Sequence, residues 1–397
     1  MEDAVIVEAV RTPLGRRRGV LATVHPADLL ADLMLAIFDR SGVDPGSLDD
    51  VIVGTMEQIG PQANTIGRVA WLAAGLPDQV PATTVERQCA SSQQALHFAT
   101  MGIQAGHYRA VLVGGVESMS QVPIGASVTS LDGKWYPPRL EDRYRPQAEW
   151  GGVEVTQFAS SEWIIQNWDL RREDLDAYSY RSHQRAARAT DRGDFRREIV
   201  PVHMASDTGS ESVVSEDEGI RRDTTMEKLG TLKPIIEGGK TTAASSSQIT
   251  DGAAALLVMS RSAAEAAGLA PRARIKAMTA VGHDFIQGLT APIPATEKVL
   301  AGAGLELGDM DAIEVNEAFA SVVLGWKAAL KIDDAWFDEH VNPRGGAIAL
   351  GHPIGCSGVR LTTTLLHHLE DTGGRFGLQT MCASHGLATA TILERLG

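Results

Sequence analysis

The feature that most constrains the fold is the alternation of short apolar runs with amphipathic helical stretches. Residues 4–10, 51–54 and 110–114 read AVIVEAV, VIVG and AVLVG, and glycine or charged residues bound each of them. Runs of this length and composition predict buried strands. Between them, residues 29–42 place apolar side chains on one helical face and then reach a glycine, which predicts a helix and its end. The alternation predicts an α/β layered fold.

The same alternation returns in the last third of the chain. The two regions are similar in the order of their elements, without a clear residue-level repeat, which predicts a duplicated α/β core. Further strands are predicted at residues 253–259, 273–281, 312–316 and 376–382, and helices at residues 317–330 and 358–370.

Residues 121–249 interrupt the alternation. They contain four of the seven tryptophans and many charged residues, and they predict a helical, loop-rich insertion. The insertion is either a solvated cap or a lid over a ligand. Because 397 residues exceed what one compact core usually serves, several packed lobes are expected. We predict an amino-terminal core half (1–120), the insertion (121–249), a return to the first half (250–272) and a carboxyl-terminal half (273–397).

Composition excludes several classes of protein. The formal net charge of −14 argues against general nucleic-acid binding, although a local basic cluster could still bind an anionic small substrate. Three scattered cysteines without a CxxC pair predict neither a disulfide framework nor a zinc site, and they favour a reducing compartment. No basic leader and no apolar stretch long enough to span a membrane is evident. A cytoplasmic protein is expected.

Cys89 lies where a strand-like segment, residues 83–88, is followed by a predicted helix. The positive end of a helix and its unpaired N–H groups would lower the pKa of a thiol at this position. The same N–H groups could hold an oxyanion. The alternative interpretation is a buried structural cysteine.

Three more residues with reactive side chains lie at the ends of predicted elements. His352 is held between Gly351 and Pro353 in a glycine-rich loop. Histidine is the usual general base near neutral pH, although a lone loop histidine is more often structural. Cys382 ends a predicted strand, and Asn316 ends another, where it could cap the next helix or hold an active-site water. Together these positions indicate a catalytic site more strongly than any one alone.

Six segments resemble the motifs of the thiolase family, in order and at normal spacing, over nearly the whole chain. They read AVIVEAVRTPLGR, RQCASS, GGVESMS, SSSQITDGAAALLVMS, NEAF and GGAIALGHPIGCSG. The resemblance implies a duplicated α/β core, layered α-β-α-β-α, with an inserted loop domain that covers coenzyme A. It implies an acyltransferase that uses CoA thioesters as substrates, without a metal or redox cofactor. It also implies a homodimer or homotetramer.

The resemblance assigns roles to the residues already singled out. Cys89 would be the acyl-accepting nucleophile, and His352 would take its proton. Cys382 would be the second acid/base, which protonates the acetyl-CoA enolate. His352 and a water held by Asn316 would stabilise the enolate oxygen. Backbone N–H groups of Cys89 and Ser384 would form the oxyanion hole.

Two positions in or next to the insertion are implied to bind coenzyme A. Ser247 matches the position that contacts the pantetheine arm. Arg221 lies where the family often places a basic contact to the nucleotide end, in a loop that varies.

The sequence departs from the family at two places. The usual Cys-x-Gly-x-Gly is replaced by CASHG at residues 382–386, so Ser384 lacks the conformational freedom of glycine. His385 would either alter the pKa of Cys382 or fill space left by the missing glycines, and the second interpretation is favoured. Gln248 replaces another usual glycine. Both changes suggest a reshaped acyl pocket.

The subfamily is indicated by RQCASSQQ and by residues 155–158, which are similar to thiolases that act on bulky chains, including bacterial steroid side-chain degraders. We predict a degradative 3-ketoacyl-CoA thiolase with a Cys89 acyl-enzyme. The alternatives are a biosynthetic acetyl-CoA C-acetyltransferase and a non-catalytic acyl-CoA or lipid carrier on the same fold. A carrier would not need two placed thiols. A fatty-acid condensing enzyme is disfavoured because those relatives replace the second thiol with histidine, although His385 keeps that idea open.

Overall fold

Most strands predicted from the apolar runs are present, and they join in one large mixed sheet. The computed structural model describes residues 2–130, 136–144, 156–205 and 211–397. The strands in these ranges are β1 (Ala4–Arg11), β2 (Gly15–Arg16), β3 (Asp50–Gly54), β4 (Ala82–Val85), β5 (Ala110–Ser118), β6 (Val202–Ala205), β7 (Glu211–Val214), β8 (Thr250–Ser260), β9 (Ala273–Gly282), β10 (Ala312–Val315), β11 (Phe376–Ala383) and β12 (Leu387–Arg395).

Helices connect and cover these strands. They are α1 (Pro26–Ser41), α2 (Ile66–Ala73), α3 (Ser91–Gln104), α4 (Ala126–Thr129), α5 (Pro138–Tyr144), α6 (Gln157–Asn167), α7 (Arg172–Arg192), α8 (Met226–Gly230), α9 (Arg261–Ala266), α10 (Pro292–Ala303), α11 (Ala320–Ala329), α12 (Asp334–His340) and α13 (Ser357–Thr372). The predicted end of α1 is confirmed, since Gly42 adopts a φ of 68° and closes the helix. Within the described ranges, no helix combines the length and apolar character needed to cross a bilayer.

The order of the strands in the sheet shows the duplication of the core, for which the sequence shows no clear residue-level repeat. The first half runs β4-β3-β5-β8-β1 and the second runs β9-β12-β11-β10. The short strand β2 is left out of this comparison. Numbered by their order in the chain, the five strands of the first half then lie side by side as 3-2-4-5-1, read from the outer edge at β4. The second half repeats this order, because Val341 forms a parallel bridge with Ile313 on the outer side of β10, in the place of the third strand. The halves meet at β1 and β9 through only two residue pairs.

Three apolar clusters show how the layers are stacked. Side chains of α1 and α2 pack on the outer face of the first half, as Leu30 and Trp71 do. Side chains of α3 and α13, such as Leu96 and Leu365, lie between the two halves. Side chains of α10 and α11, including Trp326, cover the second half. This is the predicted α-β-α-β-α arrangement, and it places the amino-terminal ends of α3 and α13 in the interior.

Two helices of the insertion, α6 and α7, pack against the core. Ile165, Leu175 and Tyr178 belong to the same buried cluster as Trp326 of α11. A Cβ at Gly325 would lie 2.6 Å from Ile164, so the close approach of α6 and α11 requires glycine there. The interpretation of the insertion as a purely solvated cap is therefore wrong for α6 and α7. The domain boundaries themselves stay predictions.

Candidate active site

Two buried thiols, one from each core half, meet in the interior. Cys89 precedes α3, and Cys382 lies near the end of β11. Cys89 belongs to one apolar cluster with Met381 and Ala383, the chain neighbours of Cys382. The two sulfur atoms are close enough that charge on Cys89 raises the pKa of Cys382, in addition to the larger effect of burial. The structure thus brings together two cysteines that are almost 300 positions apart in the sequence.

A tight turn presents Cys89. Strand β4 ends at Val85, earlier than the predicted strand-like segment, and Gln88 adopts a φ of 51°. The Ser91 hydroxyl closes the turn, because its oxygen accepts from the Arg87 N–H at 2.9 Å and it donates to the Gln88 carbonyl at 2.6 Å. Non-glycine residues rarely adopt the left-handed region, and those that do are often found at functional sites.

Burial raises the pKa of the Cys89 thiol to about 12. Its own backbone N–H and the Gln157 side chain act in the opposite direction, but Glu117 and Glu86 add to the effect of burial. The expectation that the helix end would lower this pKa is therefore wrong, because desolvation of the thiolate outweighs the local donors. At neutral pH Cys89 carries its proton, so nucleophilic attack by its sulfur requires a proton acceptor.

His352 is a buried, neutral imidazole with one nitrogen available as a base. Its Nδ1 lies 2.5 Å from the Ser357 hydroxyl oxygen, and that hydroxyl lies 2.9 Å from the Pro353 carbonyl. Since a carbonyl can only accept, we assign the serine proton to the Pro353 bond and the imidazole proton to Nδ1. Nε2 then keeps its lone pair. Burial, with a smaller effect of the Arg360 charge, lowers the pKa of His352 to about 3, so the ring is neutral at physiological pH.

Asn316 faces His352 and does not cap a helix. Its Nδ2 lies 3.5 Å from His352 Nε2, and its side chain is buried. Helix α11 begins only at Ala320, with Phe319 in the capping position and in extended conformation. The capping interpretation is therefore wrong, because three residues separate Asn316 from the first residue of α11. Among the described residues, Asn316 Oδ1 has no hydrogen-bond partner. A buried amide oxygen without a partner is costly and is satisfied by a bound water or ligand group.

A carboxylate that sequence reasoning missed holds the histidine loop against the first core half. Glu117 accepts hydrogen bonds from the backbone N–H groups of Met56 at 2.9 Å, Glu57 at 3.2 Å and Gly355 at 2.9 Å. It also accepts from Gln62 Nε2 at 2.6 Å. The segment GGVESMS had been singled out, but its spacing gave no sign that the carboxylate reaches across to residue 355.

A second missed carboxylate, Glu317, follows Asn316 and ties the insertion to the glycine-rich loop. It accepts from the Tyr178 hydroxyl at 2.8 Å, the Ser182 hydroxyl at 2.7 Å and the Ile348 N–H at 3.0 Å. A buried carboxyl group that accepts this many hydrogen bonds is well stabilised in its place. In the part of the chain that the structure describes, no group of His, Cys, Asp and Glu side chains is arranged to hold a metal ion.

Comparison with known proteins identifies the family. Residues 4–262 match the family model described as thiolase, N-terminal domain, and residues 269–395 match thiolase, C-terminal domain. The chain belongs to the thiolase family. This thiolase is 45% identical over 396 residues to a steroid 3-ketoacyl-CoA thiolase of Mycobacterium tuberculosis, which covers 100% of this chain and 95% of the relative. It is 43% identical over 401 residues to a 3-ketoacyl-CoA thiolase of Pseudoalteromonas translucida, with 100% of both chains covered.

Solved structures agree with this assignment. The fold of the thiolase matches the crystal structure of Bacillus anthracis acetyl-CoA acetyltransferase with a TM-score of 0.90 and 36% identity, over 100% of this chain and 99% of the other. It matches an acetyl-CoA acetyltransferase of Syntrophomonas wolfei with a TM-score of 0.87 and 34% identity, over 100% of both chains. The predicted family and fold class are confirmed.

In this thiolase the altered glycine turn is accommodated by His385. Ser384 keeps a negative φ, whereas His385 adopts a φ of 66°. The exposed His385 ring lies 5.9 Å from the ring of Phe285 and from that of Tyr136, and its Nε2 is 3.1 Å from the Tyr136 hydroxyl. The raised pKa of Cys382 is caused by burial and by Cys89. These contacts favour the space-filling interpretation of His385.

The remaining predicted positions lie around the thiols to different degrees. Ser247 is half-buried and donates its backbone N–H to the Ala318 carbonyl at 2.9 Å. Arg221 is exposed, and its backbone N–H donates to His183 Nδ1 at 3.1 Å. That Gln248 reshapes the acyl pocket stays a prediction; in the structure its Nε2 donates to backbone carbonyls. These belong to Gly219 at 2.8 Å, Ile348 at 2.8 Å and Ala349 at 3.0 Å.

Buried histidines predict a loss of stability in acid. His97 is buried, with Nε2 2.8 Å from the Thr391 hydroxyl, and burial lowers its pKa to about 3. Below about pH 6.5 the unfolded chain binds a proton at this position that the folded chain does not bind, so stability falls with falling pH. From pH 7 to pH 5 one such histidine removes about 2 kcal/mol.

The measurement is urea unfolding of wild type and His97→Gln at both pH values. The variant is expected to lose about 2 kcal/mol less on acidification, because glutamine does not titrate. An equal loss in both proteins would show that His97 is protonated in the folded state.

Proposed function

We propose that this thiolase degrades 3-ketoacyl-CoA, with CoA-dependent cleavage to acetyl-CoA and a shortened acyl-CoA through an acyl-enzyme on Cys89. The observation that carries the proposal is the pair of buried thiols, Cys89 and Cys382. The neutral His352 beside Asn316, whose Oδ1 has no partner among the described residues, supports it. A chemical step that forms one thioester and protonates one carbanion needs a nucleophile, a base and an acid, and these four residues supply them.

In the first half-reaction, the Cys89 sulfur attacks the 3-keto carbon as its proton passes to His352 Nε2. The tetrahedral oxyanion accepts hydrogen bonds from the backbone N–H groups of Cys89 and Ser384. Collapse breaks the bond between C2 and C3 and leaves the acyl group on Cys89. The electron pair of the broken bond forms the acetyl-CoA enolate, and Cys382 delivers its proton to the enolate carbon. Acetyl-CoA then leaves.

The enolate oxygen is stabilised by His352, now protonated, and by a water on Asn316. The water donates one hydrogen to Asn316 Oδ1, the buried acceptor that lacks a protein partner in the described ranges, and the other to the enolate oxygen. In the second half-reaction, the Cys382 thiolate takes the proton of incoming CoA. The CoA sulfur attacks the acyl group, and His352 returns its proton to the departing Cys89 sulfur.

Coenzyme A is thus a substrate, and we propose no metal or redox cofactor. We place the pantetheine arm along the half-buried Ser247 and the nucleotide end near the exposed cation of Arg221, where its phosphates would gain a charge-assisted contact. A homodimer or homotetramer is proposed on family grounds.

The acyl group is proposed to be bulky. The similarity to the mycobacterial steroid 3-ketoacyl-CoA thiolase supports this substrate class. The aromatic group beyond the second thiol also supports it, because Phe285 packs 4.5 Å from Tyr144 and 5.9 Å from His385 between ring centroids. Flat apolar surfaces of this kind suit a ring-bearing acyl chain.

The test is CoA-dependent release of acetyl-CoA from 3-ketoacyl-CoAs that range from acetoacetyl through long-chain to ring-bearing acyl groups. Faster turnover of the larger members is the expected result. The solved acetyl-CoA acetyltransferases of the same fold favour a second candidate, a biosynthetic enzyme, and activity confined to acetoacetyl-CoA would support it. Binding of acyl-CoA without turnover of any member would favour a carrier.

His385→Gly is expected to change the preference between these substrates. Removal of the ring takes away a contact surface for Phe285 and Tyr136 and places glycine at a φ of 66°, which glycine adopts without strain. We expect kcat/KM for a ring-bearing substrate to fall by about 10-fold relative to acetoacetyl-CoA, the size of one lost aromatic contact. His107→Gly, an exposed histidine beyond the end of α3, is the control. An unchanged preference in His385→Gly would show that the ring does not contact the acyl chain.

A further inference from the structure

Gln157 reaches from the insertion to both sides of the thiol site. It is the first residue of α6, after Thr156, whose hydroxyl caps the helix by accepting from the Ala159 N–H at 3.2 Å. Gln157 Nε2 donates to the Ser384 hydroxyl oxygen at 2.6 Å. A hydrogen bond from the same side chain favours the thiolate of Cys89. One amide is therefore hydrogen-bonded to the turn after the second thiol and acts on the nucleophile of the first core half.

Helix α6 holds Gln157 in this position because its next turn is bonded to the core. The Ser160 hydroxyl accepts from the Leu289 N–H at 3.2 Å. The Ser161 hydroxyl lies 2.7 Å from that of Ser321 in α11. Buried polar contacts of this kind specify one position, since the alternative is an unpaired buried group. Gln157 thus has a fixed anchor, although it belongs to the insertion.

The bond to Gln157 also sets the direction of the Ser384 hydroxyl. Because Ser384 Oγ accepts from the amide, its own proton must point away from Gln157. Ser384 already supplies one proposed oxyanion donor through its backbone N–H. Its hydroxyl adds a second donor on the same residue, at a position where glycine would have none.

We propose that Gln157 is a positioning residue that sets the acyl-accepting end of the site, by donating to the Cys89 sulfur and by orienting Ser384. The inference rests on the proposed acyl transfer to Cys89. In the resting enzyme the amide supports the sulfur as it loses its proton. After attack it keeps the Ser384 donors aligned with the oxygen of the new thioester.

The test compares Gln157→Ala with Gln166→Ala, an exposed glutamine on the same helix. The rate of Cys89 alkylation by iodoacetamide is followed against pH by mass spectrometry of the Cys89 peptide. We expect the apparent pKa of Cys89 to rise by about one unit in Gln157→Ala, so that alkylation at neutral pH slows about 10-fold. Gln166→Ala should match wild type. An unchanged profile in Gln157→Ala would overturn the proposal.

Thiolysis kinetics test the link through Ser384. Gln157→Ala is expected to lower kcat about 10-fold with little change in the KM for CoA. The double variant Gln157→Ala with Ser384→Gly should lose no more than the larger single effect, because the two side chains act as one unit. Fully additive losses would overturn that link. Gln157→Glu, which keeps the size but adds charge, should slow alkylation further and distinguishes the effect from misfolding.

The two proposals fail in different ways. Wild-type protein that neither forms an acyl-enzyme nor cleaves 3-ketoacyl-CoA would remove the proposed function, even if the alkylation profiles differ as expected. Active wild-type protein with identical profiles for Gln157→Ala and Gln166→Ala would remove the Gln157 inference alone.

Discussion

Replacement of Cys89 by alanine is expected to abolish acyl-enzyme formation and to lower thiolysis by about 10,000-fold or more. Cys356 is not expected to take its place, because it is buried in the apolar layer between the halves. The measurement is intact-protein mass spectrometry after incubation with a simple acyl-CoA, together with CoA-dependent cleavage of a 3-ketoacyl-CoA.

Cys356→Ala is the matched control for this experiment. It removes a buried thiol near the histidine loop without removing a proposed reacting group, so acylation should persist. Acylated protein in the Cys89→Ala sample would show that the nucleophile is a different residue.

Replacement of Cys382 by alanine is expected to separate the two kinds of chemistry. Acyl transfer from a simple acyl-CoA to Cys89 needs no proton at carbon, so the variant should still become acylated. Cleavage of a 3-ketoacyl-CoA needs an acid for the enolate, and we expect it to slow by about 1,000-fold, the usual contribution of a placed acid or base.

The measurement is a comparison of the rate of acylation with the rate of acetyl-CoA release in the same preparation. The raised pKa of Cys382 keeps it protonated until the enolate forms, and this is why a thiol can act as the acid here. Normal cleavage by Cys382→Ala would contradict this role and would direct attention to the nearby His385.

The strands of the core and the identities of the reactive residues could be predicted from the sequence. Apolar runs such as residues 110–114 are long enough to specify buried strands on their own, and the structure extends that one to Ser118. Cys89, His352 and Cys382 lie in motifs whose order is legible without coordinates. The final strand, β12, was not predicted, because the polar and apolar residues of LATATILER gave no clear bounds.

What the sequence could not supply was the environment of each group. The pKa of Cys89 rises rather than falls because packing around the turn removes water, and no local pattern reports this. The capping interpretation of Asn316 assumed a helix that starts at residue 317, whereas α11 begins three residues later, at Ala320. Glu117 and Gln157 act across gaps of more than 200 residues, which only the fold closes.

The short pairing between β1 and β9 makes catalysis depend on the docking of the two core halves. Each half carries one of the two proposed reacting thiols, Cys89 and Cys382, and only two residue pairs of β1 and β9 join the strands of the halves directly. Neither half could turn over substrate by itself, whatever its own degree of folding. Activity should therefore be the last property to return on refolding, after helix content and after each sheet has formed. The rate at which turnover recovers would therefore report the rate at which the two halves dock.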